Sequence, residues 1–240
     1  MMKTTLKSNL AFVDHPFHKK TKSGNFLREI FKKKFRIKNF WKSEFTIYEL
    51  KRYKYIFFFQ NFLSMSEILK LKNSLIVWAP MYDSLTNFDP NIWEICSKFN
   101  NIKILSFSNE ITKLCKKHKL NYLNCKFYLP PQKKINRQKK LNIFFWYRGQ
   151  INLYDWIKFF DLRDINKIFF YHLVDPYFKE FKIKKLDRHK FKINFIKGNF
   201  KKRESLYLKK IKDSDVFVAP RKKEGIGMSF LEALSFSKFI

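Results

Sequence analysis

The stretch from Asp213 to Ile240 reads DSDVFVAPRKKEGIGMSFLEALSFSKFI, and it sets the class of fold. A buried-type strand, VFVA, runs into Pro220; a basic loop with two glycines follows; an apolar helix, MSFLEALSF, starts directly after Gly227. Strand, loop and helix start, in that order, make an α/β unit in which the carboxyl ends of strands line the ligand crevice. Free N–H groups at the helix start attract phosphate, and Gly225 and Gly227 let the backbone come close, so an anionic ligand is expected. Within the helix Glu232 is the sole charge among Met228, Phe230, Leu231, Leu234 and Phe236. An acid on an otherwise apolar helix costs free energy unless it has partners, which marks Glu232 as functional. Glu224 lies eight residues earlier, placing one carboxylate at the mouth of the loop and one about a turn inside the helix.

Upstream of this unit the same alternation continues. Leu141 to Tyr147, Lys167 to Val174, Phe191 to Ile196 and Asp215 to Ala219 read as strands, with helices over Leu153 to Phe160, Pro176 to Leu186, Glu204 to Lys212 and Met228 to Phe236. Pro130 and Pro131 open the basic stretch QKKINRQKK, which reads as a linker. Before it, strands are expected at Leu6 to Val13, Tyr55 to Phe59, Leu75 to Trp78, Lys103 to Phe107 and Tyr122 to Tyr128. Helices are expected at Phe26 to Phe35, Ser64 to Leu71, Pro90 to Phe99 and Asn109 to Lys119. The division is an N-terminal α/β domain over 1–131, a linker over 132–140 and a second, doubly wound domain over 141–240. Lys238-Phe239-Ile240 stands where a fifth strand begins, so a chain truncated at its C-terminus is expected, with the second domain incomplete.

Composition narrows the class further. Hydrophobic residues make up 45% and aromatic residues 19%, while Gly and Pro number only 5 and 7, which excludes collagen-like and disordered chains. Three cysteines without a CxxC pair suggest neither a disulfide framework nor a zinc site, and no metal-binding set is predicted. No secretory leader or run long enough to span a membrane is evident, so the cytoplasm is the expected compartment. The net charge of +31 is spread evenly: 24 basic and 9 acidic residues before Gln132, and 27 and 11 from there on. Only nine of the basic residues are arginine, the bias of an A/T-rich genome, so no nucleic-acid partner is expected. Diffuse lysine still favours a peripheral location on an anionic membrane surface.

DVFVAPRKKEGIGMSFLEALS resembles the signature of the group 1 retaining glycosyltransferases, whose E-x7-E motif is matched by Glu224 and Glu232. The resemblance implies a GT-B fold, two Rossmann-like domains facing across a cleft. It implies that Glu224 binds donor-sugar hydroxyls and Glu232 the ribose of a nucleotide sugar, and that the amides of Gly225, Ile226 and Gly227 approach sugar and diphosphate. Carboxylate chemistry agrees, since one ionised carboxyl can accept from two neighbouring hydroxyls. Arg148, ending LNIFFWYRG, sits where the family places a basic residue against the diphosphate. The companion lysine is unmatched, with Arg221, Lys222 and Lys223 the nearest sources of that charge; Lys197 ends another strand facing the same crevice. The loop from His15 to Gly24 resembles the family's N-terminal loop that faces the acceptor and the phosphates, which implies that the domain over 1–131 is the acceptor side; the usual glycine pair is lacking, Gly24 being the clear match. His15, His18 and His118 are alternatives for a donor-side histidine. Ser237 departs from the glycine usual at that turn.

The resemblance therefore implies a hexosyltransferase that retains anomeric configuration. Its donor is a nucleotide-diphosphate sugar, with no cofactor, and its acceptor a glycan or lipid-linked glycan of bacterial lipopolysaccharide or capsule. Two alternatives stand beside it: a non-catalytic fragment of such an enzyme, and a basic nucleic-acid-binding protein.

Overall fold

Runs such as YIFFF and NIFFWY carry no polar alternation because each strand is covered on both faces, the condition of a parallel sheet between helical layers. The computed structural model describes residues 7–132, 139–149, 151–174, 192–198, 203–221 and 227–240. It is a mixed α/β protein of two compact units, the first ending at Phe127 and the second beginning at Tyr128.

The first unit runs β1 (Ser8–Asp14), α1 (His18–Thr21), α2 (Asn25–Lys32), β2 (Phe35–Trp41), α3 (Ile47–Leu50), β3 (Tyr55–Phe59), α4 (Met65–Leu69), β4 (Leu75–Ala79), α5 (Ile92–Ser97), β5 (Ile102–Ser106), α6 (Asn109–Lys117) and β6 (Tyr122–Asn124). Its six strands are parallel and ordered β2-β1-β3-β4-β5-β6. Side chains alternate between two cores. Ala11, Val13, Ile56 and Phe58 face α3 to α6 through Leu50, Ile68, Trp93 and Ile111, while Leu10, Phe12, Phe57 and Phe59 face α2 through Leu27. Thr46 and Glu49 form a capping box at the start of α3.

The expected helix over Phe26 to Phe35 stops at Lys32, and Phe35 opens an edge strand, β2, that the sequence reading did not anticipate. FRIKNFW mixes Arg36, Lys38 and Asn39 with its apolar residues because only part of an edge strand is covered; of the seven, only Phe40 is fully buried. Charged side chains of this kind also blunt an exposed edge.

The second unit runs β7 (Leu141–Tyr147), α7 (Leu153–Ile157), β8 (Ile165–His172), β9 (Ile193–Lys197), α8 (Arg203–Lys212), β10 (Val216–Val218) and α9 (Met228–Ser235). The helix expected over Pro176 to Leu186 lies outside the described residues. The four strands are parallel in the order β10-β7-β8-β9. Phe239 adds a parallel bridge to Val216 on the outer side of β10. Phe144, Trp146, Tyr171 and Phe217 pack against Tyr207 and Ile211 of α8 and Ala233 of α9, and Ile143, Phe145 and Phe170 against Leu153 and Ile157 of α7. These strand and helix aromatics are thus core, whereas Tyr48, Tyr128 and Phe159 are exposed. No helix among the described residues is long and apolar enough to cross a membrane.

Candidate functional site

Both sheets reverse direction once, and a doubly wound sheet binds its ligands outside the carboxyl ends of the two strands where that happens. In the second unit these strands are β7 and β10. Phe145 pairs with Val218, so Arg148 and Arg221 stand at equal distances beyond the last paired residues of adjacent strands. The Arg148 guanidinium lies over the Trp146 ring, 4.7 Å from its centroid, and Trp146 Nε1 is fixed by donating to the Leu173 carbonyl at 2.8 Å. Gly149 follows with φ 91°.

Past Arg221 the chain re-enters the described residues at Gly227, the N-cap of α9, whose φ of 66° and ψ of 46° favour glycine. Its carbonyl accepts from Phe230 N (2.8 Å) and Leu231 N (3.1 Å), which starts the helix. Glu232 is half-buried in the second turn, with its Oε2 shut off from solvent. Tyr147, His172 and Lys197 form a row across the ends of β7, β8 and β9, the Tyr147 and His172 rings stacked at 5.5 Å. Gly198 lets this row close up, since a Cβ there would meet Leu173 Cβ at 2.6 Å and the Tyr171 ring at 2.7 Å. Arg148, Arg221, Lys197 and His172 give the strand ends a basic lining suited to an anionic ligand. Glu224, Gly225 and Ile226, with Lys222 and Lys223, lie outside the described residues.

Neither models of known protein families nor curated proteins match this chain.

An apolar cavity of about 440 Å³ runs beside β10, lined by Trp156, Phe160, Val218, Pro220, Phe230 and Phe239 among others. Arg148, Lys197, Gly227 and Glu232 do not line it.

In the first unit the reversal falls between β1 and β3, and there the structure gathers residues around Asp14, which closes β1 and is fully buried. Oδ1 accepts from His15 N at 2.7 Å and from His18 Nδ1 at 2.5 Å; Oδ2 accepts from Arg28 Nη2 at 2.7 Å. Arg28 is held in turn by Asn39 Oδ1 at 2.8 Å from Nε, and its guanidinium lies 4.2 Å from the Phe12 ring centroid. Gly24, at φ −88°, is there for space: a Cβ would meet Arg28 Nη1 at 2.7 Å and Asp14 Oδ2 at 2.8 Å. His15, His18 and Gly24 therefore belong to one cluster, while His118 caps the end of α6. Burial is the main cause holding the His15 imidazole below its ordinary pKa, and His18 and Lys42 add to it.

The sequence reading did not single out Asp14, Arg28 or His172. The signal for Asp14 is its place as the one acid closing an otherwise apolar strand, NLAFVD. For Arg28 there was none, because its partner lies fourteen residues away. Among the described residues no group of His, Cys, Asp and Glu is arranged to hold a metal ion.

Proposed function

We propose that the chain is a retaining glycosyltransferase of the group 1 type, with the GT-B fold. It would move a sugar from a nucleotide-diphosphate donor to a glycan or lipid-linked acceptor of a bacterial surface polysaccharide. The observation that carries this reading is the placement of Arg148 and Arg221 beyond one pair of strand residues, at the reversal point of a parallel sheet, in the unit whose last helix begins at Gly227 and bears Glu232. In this reading the guanidinium of Arg148 and the first amides of α9 hold the diphosphate. Arg221 supplies the second cation, and Glu232 accepts from the ribose hydroxyls. Glu224 takes the sugar hydroxyls, as the E-x7-E string implies. Positive groups fixed where the departing diphosphate gains charge are the catalytic contribution this arrangement offers.

The test is thermal unfolding of the 240-residue chain with UDP, GDP or CMP, using Glu232→Ala as comparison. A ligand selective for the native state stabilises it by about 2.7 kcal/mol at a hundredfold excess over its Kd. One nucleotide raises the melting temperature of the wild type and fails to raise that of the variant. If none of the three shifts the wild type, the donor-site reading fails.

A further inference from the structure

Charge that is evenly spread along the sequence is sorted in space by the first unit. All six strands are parallel, so every turn that leads from a helix into a strand lies at the amino end of the sheet. These turns read KK before β2, KRYK before β3, KLKNS before β4, KFNN before β5 and HKLN before β6, and Lys7 stands before β1. None of them contains an acid. The first turns of α3, α4, α5 and α6, at the carboxyl end of the sheet, each hold one instead: Glu49, Glu67, Glu94 and Glu110. Lys7 Nζ donates to the Lys32 carbonyl at 2.7 Å, which ties the start of β1 to the end of α2 and the run Lys32-Lys33-Lys34.

Cations close to a helix C-terminus offset its partial negative charge, which accounts for the lysines within the last turns. It does not account for those between helix end and strand. Lys34, Lys54, Lys72 and Lys119 are exposed, and none of them has an ion-pair partner among the described residues. Like charges held together repel unless something of opposite sign meets them. Composition alone does not produce the pattern, because in the second unit Asp161, Asp164 and Asp213 stand beside Arg163 and Lys212 ahead of β8 and β10. Six strands at about 4.8 Å spacing make the basic row about 24 Å wide. Arg52 is the one arginine in these turns; the rest are lysine, which meets an anion as a point charge rather than as a fork that reads a planar group. Apolar side chains are exposed among them: Leu69, closing α4, is 52% exposed and Leu75, opening β4, is 37% exposed, on either side of Lys70 and Lys72. Lysine and leucine at one level match a lipid headgroup boundary, where ammonium groups meet phosphate and apolar side chains enter the acyl edge. A duplex backbone offers the phosphates and nothing for the leucines.

We propose that the amino end of the first sheet is a docking face for an anionic phospholipid surface, with Lys34, Lys54, Lys72 and Lys119 against the headgroups and Leu69 and Leu75 at the acyl boundary. The partner is the headgroup layer as a whole, met by a row of point charges. The carboxyl end of the same sheet, with Asp14, then points away from the bilayer. The proposal does not depend on the donor site of the second unit.

The test is flotation of the full chain with vesicles of phosphatidylcholine alone and of phosphatidylcholine with phosphatidylglycerol in equal parts. The chain floats with the mixed vesicles, stays behind with the neutral ones, and is released by salt. A triple variant of the face, Lys34→Gln with Lys54→Gln and Lys72→Gln, binds the mixed vesicles about a hundredfold more weakly, whereas a triple variant of the carboxyl end with the same loss of charge, Lys20→Gln with Lys42→Gln and Lys126→Gln, stays within about threefold of the wild type. All six of these lysines are exposed, so neither variant removes a buried group. A DNA duplex of mixed sequence, added at equal phosphate concentration, leaves the wild type on the vesicles. Equal binding to neutral and mixed vesicles, or equal effects of the two triple variants, would overturn the proposal. Displacement by the duplex would overturn it in favour of a nucleic acid. Because the nucleotide test reads the second unit, failure of one experiment leaves the other standing.

Discussion

The two sheet reversals share a topology and differ in chemistry. In the first unit a carboxylate is buried completely between two bases, His18 and Arg28, and a glycine is kept beside it to leave room. In the second, the described groups at the strand ends are basic, Arg148, Lys197 and Arg221 with His172, and the rim is more open, Lys197 being exposed. A self-compensated cluster presents little net charge. A basic rim presents charge, which suits an anion. The difference also predicts where stability lies, because the first arrangement is part of the core of its unit and the second is not.

The largest effect follows from Asp14. Removing one partner of a buried ion pair leaves the other charge uncompensated and costs about 3–5 kcal/mol. Asp14→Ala should therefore destabilise the first unit by that amount in urea unfolding, whereas Arg148→Ala, which loses a stacking contact with Trp146, should cost under about 1 kcal/mol. Equal losses from the two substitutions would remove the distinction between a structural and a presented cluster.

A second effect separates the units by pH. All three cysteines precede Phe127, and burial pushes the Cys96 thiol up to about 12 and the Cys115 thiol to about 11, from an ordinary value of 9.0. Above about pH 9 the unfolded thiols release their protons while the folded ones keep them. The unfolded state then binds fewer protons, and stability falls as pH rises. The slope is about 1.4 kcal/mol per pH unit for each thiol until its folded value is reached. Calorimetry from pH 8 upward should show the first unit losing stability ahead of the second, and Cys96→Ala with Cys115→Ala should flatten that slope. A slope unchanged in the double variant would assign the loss to other groups.

How much of this could be read beforehand depended on sequence distance. Strands buried on both faces announced themselves: Leu141 to Tyr147 and Tyr55 to Phe59 are strands over the residues expected. β2 did not, because an edge strand with Arg36 and Lys38 lacks an apolar run, and the preceding helix seemed to continue through it. At the candidate sites, the strand, Pro220 and the helix after Gly227 were legible because they are contiguous. His15, His18 and Gly24 were visible as a loop, but nothing local says that they converge on Asp14, since Arg28 and the end of β3 complete the cluster from elsewhere in the chain. Residues that act through contact with a distant partner leave no periodic trace, and the matched positions of Arg148 and Arg221 become visible only once β7 and β10 are seen to be neighbours.

The smallest effect concerns how the two units use, or do without, glycine. Gly24 has an ordinary φ and is required for space, whereas Ser237 stands where conformation asks for glycine. It follows the C-cap of α9 with φ 57°, Lys238 N donating to the Ala233 carbonyl at 3.1 Å and Ser237 N to that of Leu234 at 2.8 Å. These two bonds define a Schellman turn, whose left-handed residue is usually glycine because a Cβ is strained there. The turn leads directly to Phe239, which pairs with Val216 at the start of β10, so strain at 237 is tied to the edge of that sheet. Ser237→Gly should relieve it and raise the stability of the second unit by about 1 kcal/mol, part of the gain being lost to the freer unfolded chain. The first unit, which contains no part of this turn, should be unchanged. A variant no more stable than the wild type in the second unit's transition would mean that the serine hydroxyl or the unfolded chain offsets the strain, and that the turn constrains the β10 edge less than its geometry suggests.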